Sequence, residues 1–182
     1  MRIIAWAPVT DIDWTPPFGK ELVKHIKAYK NRDVRCVSCS AWVLLYNVLI
    51  ENGLEYGQVV FDKRGKPSFS DCKIYFSLSH SKGVCAVAVS DQPIGIDVEL
   101  CRKKYNDHLV ERSLSEKEKI AFDGDFTRFW CRKESIAKLT GKGITGYPND
   151  IDSEDKKYHF YEERICLEEK NYWLVAGFYM SG

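Results

Sequence analysis

The sequence predicts an α+β protein of two similar halves, residues 1–100 and 101–182, packed as one unit. Three observations carry this reading. The 182 residues suffice for one domain with a real core and are short for two independent ones. Runs of β-forming residues bounded by turn signals alternate with helix-spaced apolar residues. The order of elements, helices followed by a two-stranded hairpin, recurs in the second half, with no residue-level repeat and no low-complexity linker.

The elements follow in order. Ile3 to Val9 predicts a first strand. Gly19 to Lys30 has helical spacing through Leu22, Ile26 and Tyr29. Asp33 can cap a second helix that ends near Gly53, and its wide apolar face makes it a central core helix. Arg64 to Pro67 is a turn and Tyr75 to Leu78 a short strand. Val84 to Val89 and Ile94 to Leu100, separated by Ser90-Asp91-Gln92-Pro93, read as a hairpin. Ser115 and Glu118 form a capping box ahead of a short helix. A longer helix runs from Phe126 to Leu139 and stops at Gly141. Tyr158 to Cys166 and Tyr172 to Met180 close the chain as strands.

Composition excludes several classes. Apolar residues at 45% and charged residues at 29% are those of a folded globular chain, not a disordered one. With 27 basic and 26 acidic residues the net charge is +1, which argues against a nucleic-acid-binding domain. The longest uncharged apolar run, Ser40 to Ile50, is too short for a bilayer, which needs about 20 residues in a helix. The N-terminus has no apolar stretch of signal-peptide length. The expectation is a cytoplasmic protein with neither nucleic acid nor membrane as partner. Seven cysteines, an odd number, predict reduced thiols rather than a disulfide framework. Cys36 and Cys39 have no second pair to build a zinc site and no thioredoxin-like context. They read as two small residues one helical turn apart.

Four constellations can carry chemistry. In Gly95-Ile96-Asp97-Val98-Glu99 the two carboxylates share one face of a strand while Ile96 and Val98 share the other. Such a pair repels itself unless a cation intervenes, and oxygen ligands suit a hard cation such as Mg²⁺. A solvated edge pair is the bland alternative. On the helix Phe129 to Lys138, Glu134 and Lys138 are i, i+4 neighbours with Trp130 on the same stripe. They are either a surface salt bridge or a metal ligand beside a phosphate contact. Phe76-Ser77-Leu78-Ser79-His80-Ser81 gathers hydroxyls, an imidazole and turn N–H groups that can hold a phosphate. It is not a GxSxG elbow. Arg64-Gly65-Lys66-Pro67 is a tight turn with an exposed lysine and not a Walker loop. Charge is also uneven: Lys20 to Arg35 holds six basic and two acidic residues, a face able to attract a polyanion.

The order of these pieces, GKP, FSLSHS, GIDVE, FWCRKESIAK and then GKGI, resembles the 4′-phosphopantetheinyl transferase superfamily. The chain is most similar to its surfactin-synthetase-activating type, in which two similar halves lie in one chain. The motifs span Gly65 to Ile144, and the element order extends the likeness over nearly the whole sequence. The resemblance implies the 4′-phosphopantetheinyl transferase fold, with halves related by a pseudo-two-fold axis and a site between them. It implies transfer of the phosphopantetheine arm of coenzyme A to a serine of an apo acyl or peptidyl carrier protein, with Mg²⁺ required and adenosine 3′,5′-bisphosphate released.

Position by position, the resemblance makes Asp97, Glu99 and Glu134 the metal ligands. It makes Lys138 a contact of the coenzyme A pyrophosphate, Ser79 and His80 further phosphate contacts, and Lys66 the lysine of the turn beside the adenine. Lys20, Lys24 and Arg35 resemble the part that meets the 3′-phosphate. The nucleophile belongs to the carrier, so this chain supplies a base. Glu134 is the first candidate, directly or through water, and Lys133 the other. The segment from Cys101 to Phe126 corresponds to the part that docks the carrier, with Arg102, Lys103, Lys104 and Arg112 as contacts for its acidic helices. A monomer is expected, since one chain holds both halves. The chain departs from the pattern at Cys131, where the family usually has Ser or Thr, and in being shorter than typical two-half members. The alternative reading is a non-catalytic member that binds coenzyme A or a carrier protein.

Overall fold

Residues 1–12, 14–144 and 146–180 are described by the computed structural model, and the architecture is read from these. The first half is organised around one long helix. α1 (Lys20–Lys27) and α2 (Arg32–Glu51) turn Leu22, Ile26, Trp42, Leu45 and Leu49 inward, all essentially inaccessible to solvent. α2 begins two residues earlier than its sequence suggests. The cap is Asn31, whose side chain accepts from the N–H groups of Asp33 and Val34, so Asp33 lies inside the first turn. Among the described residues α2 is the one helix long and apolar enough to cross a membrane. Its buried side packs into the core of this half.

That core faces a three-stranded antiparallel sheet of β1 (Arg2–Pro8), β4 (Tyr75–Ser81) and β5 (Val84–Ser90), in the order β1-β5-β4. Between them in sequence, β2 (Val59–Phe61) and β3 (Pro67–Phe69) form a short ribbon around the Arg64–Pro67 turn. β5 is buried along its whole length. Val87 and Val89 face the helices, and Val84, Ala86 and Ala88 face away from them.

The opposite face of β5 meets a second sheet. This contains β6 (Ile94–Leu100), β7 (Tyr158–Leu167) and β8 (Lys170–Tyr179), in the order β6-β8-β7. The expected hairpin of the runs 84–89 and 94–100 is therefore corrected. β5 already has a neighbour on each edge, β1 and β4, so the Ser90–Pro93 turn carries the chain out of the first sheet. β6 pairs with β8 instead, Gly95 opposite Gly177 and Asp97 opposite Val175. Ile94, Ile96 and Val98 pack with Tyr172, Leu174 and Ala176 against β5, forming the core between the sheets.

Three helices complete the second half. α3 (Asp107–Ser113) is capped by Asn106. α4 (Glu116–Ala121) starts on the Ser115–Glu118 capping box, with both of its reciprocal bonds formed. α5 (Phe126–Thr140) ends on Gly141, whose left-handed φ of 68° suits glycine. α5 lies on the outer face of the second sheet over a notch of two glycines. A Cβ on Gly95 would stand 2.0 Å from the Ser135 carbonyl oxygen, and one on Gly177 would stand 2.8 Å from Ser135 Oγ. Helix and strand backbones approach here as only glycine permits. The layers run helices, sheet, sheet, helix.

Candidate functional site

The site grows from the alternation of β6. With Ile96 and Val98 in the core between the sheets, Asp97 and Glu99 are turned to the side on which α5 lies. The glycine notch brings α5 close, and its stripe Trp130, Glu134, Lys138 faces the same space. Lys138 Nζ lies 2.8 Å from Asp97 Oδ1.

The third wall is β4, and here the serines of FSLSHS act together. Ser77, Ser79 and Ser81 stand at every second position and share one face. Their hydroxyls accept from the N–H groups of Ile96, Val98 and Leu100 at 3.1, 3.3 and 3.2 Å. These belong to the edge of β6 that β8 leaves unpaired. Ser79 also donates to Asp97 Oδ1 at 2.8 Å, and Ser81 to Glu99 Oε2 at 3.2 Å. Side-chain hydroxyls thus stand in for a backbone ladder between the two sheets. The same hydroxyls aim both carboxylates.

Ser79, His80, Asp97, Glu99, Glu134 and Lys138 line one cleft of about 500 Å³. Its electrostatics are those of crowded acids. Burial, and then the Asp97 charge, push the Glu99 carboxyl above the ordinary glutamate range. Burial and the charges of Asp97 and Glu99 push Glu134 up as well, against the pull of Lys138. The enclosing protein and the Lys138 cation hold the His80 imidazole below its usual value, favouring the neutral ring. Among the described residues no three His, Cys, Asp or Glu side chains gather closely enough to hold an ion as they stand.

The remaining sequence-derived candidates fall elsewhere. Lys66 Nζ donates to the Leu139 carbonyl at 3.3 Å, beside the cleft, and burial lowers its pKa. Lys20 and Lys24 lie on α1 outside the cleft lining. That helix contributes His25. Arg35 donates from Nη1 to the Tyr29 carbonyl at 2.9 Å, behind a residue that does line the cleft. Lys133 points away from the cleft altogether. It is fully buried, 2.5 Å from Glu118 Oε2, and donates to the carbonyls of Pro148 and Ile151. Glu118 also accepts from Ser115 and Ser153, so the pair fastens α4, α5 and the 148–153 loop together.

The motifs did not show the aromatic end of the cleft. His25 stacks on Phe61 with ring centroids 4.4 Å apart and bonds through Nε2 to the Tyr29 hydroxyl, and Trp42 adds a further wall. The one signal for it is the cationic stretch Lys20 to Arg35 that surrounds His25 and Tyr29.

Residues 93–178 match the model of the 4′-phosphopantetheinyl transferase superfamily. The chain is 36% identical over 111 residues to 4′-phosphopantetheinyl transferase HetI of Nostoc, a match covering 50% of this chain and 46% of that protein. It is 32% identical over 120 residues to psf-1 of Bacillus pumilus, covering 57% and 49%, and 33% identical over 89 residues to Sfp of Bacillus subtilis, covering 44% and 40%. Both carry the same transferase name. These matches each span less than half of the relative's own length. The matched segment holds β6 with Asp97 and Glu99, α5 with Glu134 and Lys138, and the strands that seat them; over residues 93–178, a little under half of its length, the chain is similar to the 4′-phosphopantetheinyl transferase superfamily.

Proposed function

We propose that this protein transfers the 4′-phosphopantetheine arm of coenzyme A to a serine of an apo acyl or peptidyl carrier protein, releasing adenosine 3′,5′-bisphosphate. The observation that carries this reading is the meeting of Ser79 and His80 from β4, Asp97 and Glu99 from β6, and Glu134 and Lys138 from α5 in one cleft. A further part of the proposal is that two halves are related by a pseudo-two-fold axis, as in the surfactin-synthetase-activating type, with the boundary moved from residue 100 to the Ser90–Pro93 turn because β6 lies in the second sheet. The matching strand orders β1-β5-β4 and β6-β8-β7 support it, as does the long helix preceding the last two strands of each sheet.

The donor set fits a divalent cation. Asp97, Glu99 and Glu134 offer only oxygens, as Mg²⁺ prefers. Burial, and then the charge of Asp97, hold Glu99 and Glu134 above their usual pKa, a conflict that a cation relieves. These three residues would hold the ion, which when bound supplies positive charge against the coenzyme A pyrophosphate.

This chain's own groups do the rest. Lys138 carries three donors, so its ammonium can keep Asp97 and still meet a phosphate oxygen. His80, kept neutral, can hydrogen-bond to a second phosphate oxygen. Ser79 spends its proton on Asp97, so its part in phosphate binding runs through that carboxylate. The faces of His25 and Phe61 offer a stacking surface for the adenine, with Lys66 beside it. Lys20, Lys24 and Arg35 provide the positive field for the 3′-phosphate. Glu134 takes the proton of the carrier serine, directly or through water. Arg102, Lys103 and Lys104 line one side of a second hollow of about 480 Å³ that also holds Asp107, Asp123 and Asp125; these three consecutive cations are the part that meets an acidic carrier helix. Arg112 lies in the last turn of α3, nearby in sequence. The protein works as a cytoplasmic monomer in this proposal.

The test is the intact mass of an apo acyl and an apo peptidyl carrier protein after incubation with this protein, coenzyme A and Mg²⁺. A gain of one phosphopantetheine arm, lost with EDTA, supports the reaction. No gain with coenzyme A still bound favours a non-catalytic binder. No binding removes the coenzyme A reading.

A further inference from the structure

The turn between β2 and β3 reaches across the molecule to the end of α5. Arg64 Nη1 donates to the carbonyls of Gly141 at 3.3 Å and Lys142 at 2.8 Å, and Lys66 Nζ donates to that of Leu139 at 3.3 Å. The last carbonyls of a helix have no partner within it and carry its negative end. Here Lys66 of the other half meets one of them, that of Leu139, and Arg64 meets the carbonyls of the cap Gly141 and of Lys142 just beyond it. Gly141 is favoured by its backbone φ of 68°, which disfavours side chains; a Cβ there would only touch Lys66 Cδ, at 3.5 Å.

The turn that delivers these cations is itself braced. Asp62 Oδ1 accepts from the N–H groups of Arg64 and Lys66, both at 2.8 Å, and the Asp62 N–H donates to the Lys66 carbonyl at 3.0 Å. Gly65, at φ 81°, closes the bend. Arg64, Lys66, Glu134 and Lys138 line one notch of about 140 Å³. The clamp therefore sits against the very residues on which the proposed chemistry depends.

We infer that Arg64 is a positioning residue that locks the β2–β3 turn to α5, so that coenzyme A held at the turn fixes where Glu134 and Lys138 stand. The inference rests on the transferase reading above. Both bonds come from Nη1, which carries two N–H groups fixed in the guanidinium plane; a lysine ammonium has the donors but holds them on a flexible stem.

The test compares wild type, Arg64→Ala and Arg64→Lys by hydrogen exchange of residues 62–66 and 139–143, with and without coenzyme A, and by steady-state kinetics. In Arg64→Ala both segments should exchange faster together, coenzyme A should no longer slow exchange at 139–143, and kcat should fall about tenfold, the scale of one or two lost hydrogen bonds. The carrier KM should not move, and Arg64→Lys should recover part of the loss. Unchanged kcat with coenzyme A still protecting 139–143 in Arg64→Ala overturns the inference. If coenzyme A protects nothing in wild type, the coenzyme A reading fails on its own. Ligand-free exchange then judges the clamp: it stands if both segments loosen in Arg64→Ala and falls if the turn loosens alone.

Discussion

Replacing Gly95 by alanine should separate α5 from β6 and with it the two parts of the site. The added Cβ would stand 2.0 Å from the Ser135 carbonyl oxygen, 2.5 Å from the Leu139 nitrogen and 3.1 Å from the Leu139 Cα. Heavy atoms pack at about 3.5 Å, so the helix must retreat by about 1.5 Å. All three obstacles are backbone, so no rotamer change relieves them. Overpacking of this kind costs about 1–3 kcal/mol. In a protein of this size that lowers Tm by roughly 2–12 °C. The activity should suffer more, because Glu134 and Lys138 ride on the displaced helix. A misplacement of about 1 Å lowers turnover on the order of 100-fold. Thermal melting followed by circular dichroism, beside carrier modification by intact mass, measures both effects. A control uses the neighbouring glycine. Gly177→Ala places its Cβ 2.8 Å from Ser135 Oγ, a side-chain atom. Adding Ser135→Ala should therefore soften Gly177→Ala and leave Gly95→Ala unimproved. Wild-type Tm and turnover in Gly95→Ala would refute the close approach and the reasoning built on it.

Glu134→Gln should nearly abolish transfer while the far-ultraviolet spectrum is kept; wild-type turnover would remove Glu134 as the base. The same variant tests the electrostatics. A carboxyl whose pKa is raised in the folded state binds more protons there than in the unfolded chain, so stability falls as pH rises above the ordinary value of 4.5. Without divalent cation, the Tm of Glu134→Gln should gain on that of wild type from pH 4.5 to pH 7, and Mg²⁺ should reduce the gain; parallel Tm curves would show Glu134 unperturbed. Lys133→Met leaves Glu118 buried without its cation and should cost about 3–5 kcal/mol by urea denaturation. The double change with Glu118→Leu should recover much of this, and a marginal effect of Lys133→Met alone would place the pair outside the folding core. Lys66→Ala should weaken coenzyme A binding in calorimetry, and unchanged affinity would detach the turn from the ligand.

The sequence made faces legible and left neighbours obscure. Alternation in Gly95 to Glu99 separates the core residues Ile96 and Val98 from the carboxylates, because strand geometry alone decides it. The capping box at Ser115 and the stop at Gly141 were equally readable, since both are local bonds. The partner of β6 was not. Its alternation is the same whether it pairs with β5 or with β8, about seventy residues onward, and only the occupied edges of β5 decide between them. For the site, the i, i+4 spacing of Glu134 and Lys138 was visible. The role of Ser77, Ser79 and Ser81 was hidden by a likeness between phosphate oxygens and the edge of a strand: hydroxyls serve both. The stacked His25 and Phe61 come from segments 36 residues apart that nothing local connects.

The serine seam has a consequence for how substitutions in this protein are to be interpreted. Each of Ser79 and Ser81 makes one bond that joins the sheets and another that orients an acid. A screen for folding and a screen for turnover would therefore flag the same positions, and neither would separate cause from effect. Ser77, which meets Ile96 but neither carboxylate, is the internal reference: its loss reports adhesion alone. The difference between Ser77→Ala and Ser79→Ala measures what the acid's orientation contributes to the reaction.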